Sequence, residues 1–365
     1  MNAVVGTRQG PLRILFDDRP ARVCVTGIGR YAASLAGLLR EGVPGADARF
    51  ASELPQPAGP DEEELELPHV LAREGIEVLH TPLFQLPALL PPHTRAVVTL
   101  HDAIPLARPD LTSPGFGALF RTRAAEGCRR AARVVCPSAH ARDEVAAGLG
   151  VPVDKLRVVP EAPAARFRPC SAEEQARVCA AYGLEPGRYL LAVGSLERRK
   201  GPDLLLDALA RVAAALPWLS VAFAGPAHGF DLAGQVDARG LQGRAPGLGV
   251  VPDDDLPALY AGALALVFPS RHEGFGLPIV EAFATGTPVV ATAATAIPEV
   301  AGEAALLVPP EDPDALAAAI ERVAADPALR RELVEEGTAR LEERFSPGQV
   351  RAALGALYAE LEVAV

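Results

Sequence analysis

The sequence lacks several features that define broad classes of protein. No uncharged apolar run approaches the roughly 18–20 residues that a membrane-spanning helix needs. The apolar stretch at residues 204–224, for example, contains Asp207, Arg211 and Pro217. An excess of basic charge is also absent, since 35 lysines and arginines face 46 aspartates and glutamates and leave a net charge of −11. A net-negative surface repels a phosphate backbone, so we expect no nucleic-acid partner, although a local basic patch is still allowed.

Cysteine is scarce and irregularly placed. The cysteines are odd in number and form no C-x-x-C pair: Cys24, Cys128, Cys136, Cys170 and Cys179. This pattern argues against a disulfide framework or a zinc knuckle and fits a reducing compartment. Residues 1–11 contain no apolar segment long enough for a signal peptide. We therefore expect a soluble cytoplasmic protein.

What is present is a regular alternation of short apolar runs and helix-length segments. Six runs in each half of the chain predict β-strands: 13–16, 48–51, 76–80, 96–100, 133–136, 156–159, 189–193, 219–224, 249–251, 264–268, 288–291 and 305–308. Apolar strands that alternate with helices indicate parallel sheets covered on both faces. At 365 residues the chain is long enough for two domains. We expect an α/β protein of two doubly wound, Rossmann-like domains, although periodicity alone does not exclude an eightfold barrel.

The expected division of the chain follows from where the strand pattern stops. Residues 161–171 are rich in proline and arginine and carry no strand pattern. We therefore place one domain at residues 1–167 and a second at residues 168–345. Residues 346–365 form a predicted helix with one apolar stripe: Val350, Leu354, Leu357 and Leu361. The stripe suits either domain, and we expect the helix to pack back on the first.

Three short motifs resemble known ligand-binding signatures but are incomplete. Residues 27–32 read G-x-G-x-x-A, yet ten residues separate this motif from the better first strand, and only Glu53 loosely matches the required acidic residue. Both points argue against a dinucleotide site. The pair His272-Glu273 begins like the zinc-protease motif H-E-x-x-H, but position 276 is glycine. Residues 253–255 are three aspartates before a predicted helix, and we expect them to cap its N–H groups rather than to bind metal.

Charged residues gather where predicted parallel strands end, which is where ligands bind in such sheets. His101 and Asp102 follow one strand, and Arg199 and Lys200 follow another at the head of a predicted helix. Two cationic side chains beside oriented N–H donors make a good phosphate site. For this pair considered alone, a solvated basic turn remains an open alternative.

The most informative segment is E-G-F-G-L-P-I-V-E, which runs from Glu273 to Glu281. Its two glycines let the backbone approach a ligand closely, and Pro278 suits the first turn of a helix. The N–H groups of Gly276 and Leu277 would then point at an anion. Glu281 lies about one turn into that helix, so the two carboxylates can hydrogen-bond different hydroxyl-bearing parts of one ligand.

This segment resembles the retaining glycosyltransferases of family 4, which have the GT-B fold and carry the hallmark E-x7-E. Further motifs of the family recur along nearly the whole chain: G-I-G-R-Y (27–31), H-D-A-I-P (101–105), G-S-L-E-R-R-K-G (194–201), V-P-D-D-D-L (251–256), G-T-P-V-V (286–290) and I-P-E-V (297–300). The two motifs of the first half look like the mannosyltransferase branch. The resemblance implies two Rossmann-like domains that face each other across a cleft.

The resemblance also implies a role for each matching residue. Catalysis would fall to His101 and Glu273, and donor binding to Gly27, Gly29, Arg199, Lys200, Phe275, Gly276, Leu277 and Glu281. The cations and the glycine amides would contact the diphosphate of a nucleotide sugar. Glu281 would hold the ribose hydroxyls and Glu273 the donor sugar, which His101 would reach from across the cleft. No metal and no further cofactor are expected, because cations and helix dipoles take the place of a metal.

Two positions depart from the family pattern. Glu161-Ala162 stands where many relatives have Asn-Gly, which leaves the conformation of that loop open. Ser195 stands where many relatives carry an arginine after the matching glycine, so that Arg199 would act alone.

The implied reaction moves a hexose from a nucleotide diphosphate sugar to a hydroxyl acceptor, such as a glycan or a lipid-linked saccharide, with retention of configuration. A GDP-mannose-like donor is preferred, with a UDP-sugar as the alternative. Donors and cations placed where charge develops usually supply the largest catalytic term. Two other functions stay open: a sugar-nucleotide epimerase of the same fold, which would lack the E-x7-E segment, and an inactive nucleotide-sugar binder.

A basic segment at residues 116–133 allows two arrangements. It contains five arginines: Arg121, Arg123, Arg129, Arg130 and Arg133. Either the predicted helix packs Leu119 and Phe120 into the first domain, or its apolar edge rests on anionic lipid, at about 1 kcal/mol per basic residue. In the second case the protein would be peripheral at the inner face of a membrane and its acceptor lipid-linked.

Overall fold

The computed structural model describes residues 10–23, 27–54, 60–113 and 115–362. It contains two six-stranded sheets in which all neighbouring strands are parallel. The first sheet consists of β1 (Leu12–Phe16), β2 (Ala46–Phe50), β3 (Val78–Thr81), β4 (Arg95–Thr99), β5 (Arg133–Cys136) and β6 (Leu156–Val158), in the order β2-β1-β3-β4-β5-β6. The second consists of β7 (Tyr189–Val193), β8 (Ser220–Ala224), β9 (Gly247–Gly249), β10 (Ala265–Phe268), β11 (Val289–Thr292) and β12 (Leu306–Val308), in the order β12-β11-β10-β7-β8-β9.

Helices connect these strands and cover the sheets. Those of the first half are α1 (Pro20–Val23), α2 (Gly27–Glu41), α3 (Pro60–Arg73), α4 (Ile104–Ala107), α5 (Phe116–Arg130) and α6 (Ala139–Leu149). Those that follow are α7 (Ala172–Ala181), α8 (Pro202–Val212), α9 (Leu232–Ala238), α10 (Leu256–Gly262), α11 (Leu277–Thr285), α12 (Ile297–Ala301), α13 (Pro313–Ala325), α14 (Pro327–Arg340) and α15 (Pro347–Glu362).

Each sheet lies between two apolar clusters, one on each face. Successive side chains of β7 illustrate this, since Leu190 packs in the cluster with α8 and α13, whereas Leu191 packs in the cluster with α10 and α11. In the first sheet, Val97 faces the cluster with α2, and Val98 faces the cluster with α5 and α6. Because both faces are buried, the strands are continuous apolar runs without polar alternation. The predicted α/β class with two doubly wound sheets is confirmed, and an eightfold barrel is excluded.

The last helix, α15, packs on the first sheet. It adds five buried side chains to the cluster around β1: Val350, Leu354, Leu357, Tyr358 and Leu361. The Tyr358 hydroxyl also lies 2.7 Å from Nδ1 of His80 in β3. Glu360 accepts hydrogen bonds from Arg133 at 2.8 Å and Arg157 at 2.7 Å. The two halves are therefore linked through the strand-free residues 159–171 and again through the π-helical turn that precedes α15.

Several sequence-based boundaries are wrong, and two of them matter for the surface of the protein or the edge of a sheet. The edge strand β9 spans Gly247–Gly249 rather than residues 249–251. The basic helix α5 ends at Arg130, and Arg133 lies in β5, where its pairing with Glu360 removes it from the basic surface. Cys24 lies outside the described residues, and the other four cysteines are free thiols. Among the described helices, none is both long and apolar enough to cross a membrane.

Candidate active site

The carboxyl ends of β7 and β10 bring the basic turn and Glu273 together. The turn, Arg198–Lys200, follows β7, and Glu273 follows β10. Lys200 Nζ donates a 2.6 Å hydrogen bond to one carboxylate oxygen of Glu273, and Arg199 donates to the other at 3.2 Å. Arg199 also pairs with Glu197 at 2.6 Å. Two cations and two carboxylates therefore form one compact cluster, in which each cation is held in place.

Burial and charge act in opposite directions on this cluster. Burial raises the pKa of the Glu273 carboxyl, but the charges of Lys200 and Arg199 outweigh burial and hold that pKa below its usual value. Burial lowers the pKa of the Lys200 amine, and the attraction of Glu273 offsets this only in part. Glu273 is therefore ionised at neutral pH and places a negative charge between the two basic side chains.

Arg271 fixes the shape of the basic turn from beneath. Its guanidinium donates to both oxygens of Asp203 at 2.8 and 2.7 Å and to the backbone carbonyl of Arg198. Its backbone N–H donates to the carbonyl of Arg199 at 2.8 Å. The Arg271 side chain is only 4% exposed, so these contacts are shielded from water. A buried bidentate pair of this kind sets geometry as well as adding energy.

The backbone at Glu273 is held by Thr295. The Thr295 hydroxyl accepts a 2.8 Å hydrogen bond from the Glu273 N–H and lies 2.9 Å from the Glu273 carbonyl oxygen, to which it donates. Thr295 has a φ of +49°, in the left-handed region that a β-branched residue rarely adopts. The strained residue thus lies in direct contact with the carboxylate residue that is predicted to act on the donor sugar.

The N-terminus of α11 faces the same region. Gly276, at the N-cap position, has a φ of +115°, which favours glycine, and no described side chain caps the helix there. The N–H of Leu277 is consequently available to an anion, whereas Pro278 has no N–H and Ile279 donates to the Gly276 carbonyl at 2.9 Å. Phe275 contributes differently, because its side chain is buried against Phe345 with ring centroids 5.6 Å apart.

Glu281, one turn into α11, is buried and 1% exposed. It accepts a 2.7 Å hydrogen bond from the Tyr260 hydroxyl, and Arg30 lies 3.6 Å away. Burial raises the pKa of this carboxyl to about 7, although Arg30 and Tyr260 lower it in part. Arg30 comes from α2, whose first turn contains Gly27 and Gly29. The two glycines therefore lie in the same helix turn as Arg30, which is a direct neighbour of Glu281.

The three aspartates before α10 do not act as expected. Asp255 occupies the N-cap position, but its side chain makes no capping hydrogen bond and instead accepts from the Tyr182 hydroxyl at 2.8 Å. Asp253 lies 2.9 Å from Arg166 and 3.7 Å from Arg30. The predicted cap is therefore wrong, because charged and hydroxyl partners from other segments compete for these side chains.

His101 follows β4 and is held on both sides of its ring. Nε2 lies 3.1 Å from the carbonyl of Pro82, and Nδ1 lies 3.4 Å from the carboxylate of Glu161. Burial lowers the pKa of the ring, but the hydrogen bond and charge of Glu161 outweigh burial and raise the pKa above its usual value. The edge of the ring also packs on Tyr31. Both ring nitrogens thus face protein acceptors.

The first and second halves meet directly beside these groups. The Ser138 hydroxyl donates to the carbonyl of Gly274 at 2.6 Å, and a Cβ built on Gly274 would overlap the carbonyl oxygen of His101. The carboxylate of Glu299 accepts from the N–H groups of Ala139 and His140 at the start of α6. The predicted groups around His101 and Glu273 therefore lie on opposite walls of one narrow cleft.

Sequence reasoning missed five residues that support the site: Arg30, Glu161, Arg271, Thr295 and Tyr260. Arg30 had a visible signal, since it directly follows the glycines of the first-half motif, and Glu161 was conspicuous as a departure from the family pattern. The other three lie in no ligand-binding pattern. Their importance comes from packing against the predicted residues.

Comparisons with known proteins identify the family and the fold of the chain. The family model for Glycosyltransferase Family 4 matches residues 64–162, and that for Glycosyl transferases group 1 matches residues 181–340. The O-antigen chain mannosyltransferase B of Escherichia coli is 29% identical over 91% of this chain and 96% of its own length. The D-inositol 3-phosphate glycosyltransferase of Streptomyces bingchenggensis is 33% identical over 62% of this chain and 52% of its own.

Solved structures show the same fold. A sucrose-phosphate synthase from Thermosynechococcus elongatus superposes with a TM-score of 0.76 at 23% identity, covering 98% of this chain and 100% of that one. WaaG, a glycosyltransferase involved in lipopolysaccharide biosynthesis, superposes with a TM-score of 0.69 at 13% identity, covering 96% of this chain and 100% of that one. The fold and the family matches together define a glycosyltransferase of the GT-B fold. Within that class, the chain belongs to the family 4-like glycosyltransferases, and mannosyltransferases are among its relatives.

Proposed function

We propose that the protein transfers a hexose from a nucleotide diphosphate sugar to a hydroxyl acceptor with retention of configuration. The observation that carries this proposal is the cluster of Arg199, Lys200 and Glu273 beside the uncapped N-terminus of α11. Such a site offers two cations and the N–H groups of Gly276 and Leu277 to a diphosphate, and a carboxylate to the hydroxyls of its sugar. The mannosyltransferase that matches nearly end to end favours a GDP-mannose-like donor, with a UDP-sugar as the alternative.

The proposed chemistry uses these groups where charge develops. Cleavage of the sugar–phosphate bond leaves an oxocarbenium-like sugar and moves negative charge onto the departing diphosphate. Arg199, Lys200 and the amides of Gly276 and Leu277 stabilise that charge, which is the role a metal plays elsewhere. The departing phosphate oxygen accepts the proton of the acceptor hydroxyl on the same face, so no enzyme nucleophile is required. His101, whose pKa Glu161 raises, reaches the donor sugar from the opposite wall.

The acceptor is proposed to bind in the first half of the chain. A cavity of about 560 Å³ lies at the carboxyl ends of β1 and β3 and is lined by apolar groups such as Leu79, Phe84 and Phe120 and by polar groups such as Asp17 and Arg123. Such a mixed lining suits an acceptor with a sugar portion and an apolar portion. A glycan attached to a lipid has both.

The same region favours a peripheral contact with anionic lipid. Leu89, Phe116 and Leu119 are 67%, 43% and 56% exposed, and Phe116 and Leu119 also line the proposed acceptor cavity. The neighbouring arginines 121, 123 and 129 are exposed as well. Phe120 instead packs into the first domain, edge-on to Phe84. An apolar tip beside basic side chains is the arrangement that anionic lipid attracts.

The transferase proposal is tested by following the products of GDP-mannose and of UDP-glucose with and without glycan and lipid-linked acceptors. The proposal is supported by transfer of the hexose, or by slow hydrolysis of the donor, when the product has the same anomeric configuration as the donor sugar. An epimerised nucleotide sugar would identify an epimerase, and donor binding without any product would identify a binding protein; either result contradicts the proposal.

The membrane contact is tested by sedimentation with anionic vesicles at low and high salt. We expect salt-sensitive binding that is lost when Arg121 and Arg123 are both changed to Glu. A matched variant with Arg322→Glu and Arg331→Glu makes the same charge change on exposed residues of the second half. Equal binding of the two variants, or no binding of the wild type at low salt, contradicts the proposal.

A further inference from the structure

A cluster of two histidines and a glutamate bridges the two halves outside the proposed donor site. His140 and Glu144 lie four residues apart on α6, so both side chains project from the same face of that helix. His272 reaches them from the second half, and its Nε2 lies 3.0 Å from one carboxylate oxygen of Glu144. One ligand atom from each residue lies within 4.8 Å of the others.

The cluster contains an unsatisfied polar atom. Nε2 of His140 is buried and has no hydrogen-bond partner among the described residues. The side chains of Glu144 and His272 are themselves only 12% and 4% exposed. A buried imidazole nitrogen without a partner carries a desolvation cost that a bound ligand would remove. The companion groups that surround it, an imidazole and a carboxylate, are both metal ligands.

We propose that His140, Glu144 and His272 form a binding site for a transition-metal ion of the zinc class that links the two halves of the protein. Two imidazole nitrogens and one carboxylate, with water in the fourth position, are a common zinc ligand set, whereas magnesium and calcium prefer all-oxygen sites. Tetrahedral zinc places its ligand atoms about 3.4 Å apart.

The site is connected to both walls of the cleft. The second oxygen of Glu144 accepts a 2.8 Å hydrogen bond from the N–H of Ala103, two residues after His101. On the other wall, His272 directly precedes Glu273, and its carbonyl accepts a hydrogen bond from Arg199. A metal held by α6 and His272 therefore ties the loop after β4 to the loop after β10.

This connection has a consequence for turnover, which rests on the proposed transferase function. An enzyme that closes two domains on its substrate must open again to release product, and opening often limits the rate. Metal bound across the cleft holds the two walls together. Zinc is therefore expected to slow steady-state turnover while leaving the donor-contacting groups in place.

No short sequence motif marks the site. The ligands from α6 and His272 are separated by 128 residues, and the pattern H-E-x-x-H that His272 begins is interrupted by Gly276. Only closure of the two halves brings the three side chains together. The site is also separate from the diphosphate cluster, since the carboxylate of Glu273 is engaged by Lys200 and Arg199.

The binding test uses the full chain freed of metal by a chelator and dialysis. Titration with Zn²⁺ in a calorimeter, and with Co²⁺ followed by visible absorption, should show one site per chain. His140→Ala should weaken zinc binding at least tenfold, and because its Nε2 makes no hydrogen bond in the described structure, the variant should fold normally. His93→Ala, which removes an exposed histidine, should bind zinc as the wild type does. Equal zinc affinity in the wild type and His140→Ala, or no stoichiometric binding, would overturn the site.

The coupling to turnover is tested separately. Zinc should reduce turnover of the wild type several-fold and should have little effect on His140→Ala, whose basal turnover should match the wild type without zinc. Stoichiometric zinc binding with unchanged wild-type turnover overturns the coupling and leaves the metal site standing. Because the titration needs no donor sugar, failure of the transferase proposal would not alter its outcome.

Discussion

Glu281 should make the stability of the protein depend on pH in an unusual direction. Burial raises the pKa of its carboxyl from the ordinary 4.5 to about 7. Between those pH values the native state holds a proton that the unfolded chain releases, so the free energy of unfolding falls as pH rises. With about 1.4 kcal/mol per pKa unit, the loss between pH 5 and pH 8 amounts to about 2.5 kcal/mol. The group is buried, so solvent screening does not reduce this figure.

Glu281→Gln removes this titration and keeps the shape of the side chain. From pH 5 to pH 8, we expect the free energy of unfolding of the wild type to fall by about 2.5 kcal/mol relative to that of the variant. Urea unfolding at several pH values measures it. The fluorescence of Trp218, the one tryptophan of the chain, reports on the same half of the molecule as Glu281.

Tyr260→Phe provides a second test, because it should raise the pKa of Glu281 instead of removing its titration. The Tyr260 hydroxyl donates to the Glu281 carboxylate and thereby lowers the pKa of Glu281. Its removal should raise that pKa further and move the loss of stability to higher pH. A difference between wild type and Glu281→Gln that is constant from pH 5 to pH 8 would refute the reasoning, because it would mean that the buried carboxyl does not titrate in this range.

Three further changes test the cleft in other ways. Lys200→Ala should weaken binding of a nucleoside diphosphate by about 1.5–3 kcal/mol in calorimetry. Arg198→Ala is the control in the same turn, and a magnesium chelator should have little effect on binding. Unchanged affinity of Lys200→Ala argues against the proposed phosphate site. Glu273→Gln should leave diphosphate binding nearly intact but reduce turnover by about 10²–10³, and a parallel loss of both would mean that the donor sugar is misplaced. Gly274→Ala should reduce turnover without unfolding the chain, because the added Cβ would overlap the His101 carbonyl and hold the cleft open. Small-angle scattering should then show a more extended molecule. Unchanged scattering and turnover would contradict the closed arrangement.

Local patterns in the sequence predicted much of the framework. Apolar runs of four to six residues predicted strands because both faces of each sheet are buried, so no polar alternation is required. The start of α11 was equally local, since Gly276 followed by Leu277-Pro278 suits the end of a loop and the first turn of a helix. Such signals depend on neighbouring residues in the sequence and not on contacts with distant segments.

Local rules failed where a distant partner competed. Asp255 stands at the N-cap position that its sequence predicts, but its carboxylate accepts a hydrogen bond from the hydroxyl of Tyr182, the residue that follows α7. The basic segment at residues 116–133 forms a helix only as far as Arg130; Arg133 begins the strand that was predicted there, and its pairing with Glu360 from α15 was not visible in the sequence. In both cases the residue type was interpreted correctly as polar or charged, and its partner was not visible along the chain.

Local sequence patterns predicted the two doubly wound sheets, which the structure confirms, and they are the source of the proposed roles for the E-x7-E segment and the basic turn. The protonation of the site residues, in contrast, depends on the tertiary structure. The pKa of Glu281 depends on burial and on Arg30, and that of His101 depends on Glu161. The meeting of His272 with α6 likewise requires closure of the two halves. The physical reason is that strand and helix patterns record short-range preferences, whereas burial and charge pairing are set by which distant segments pack together.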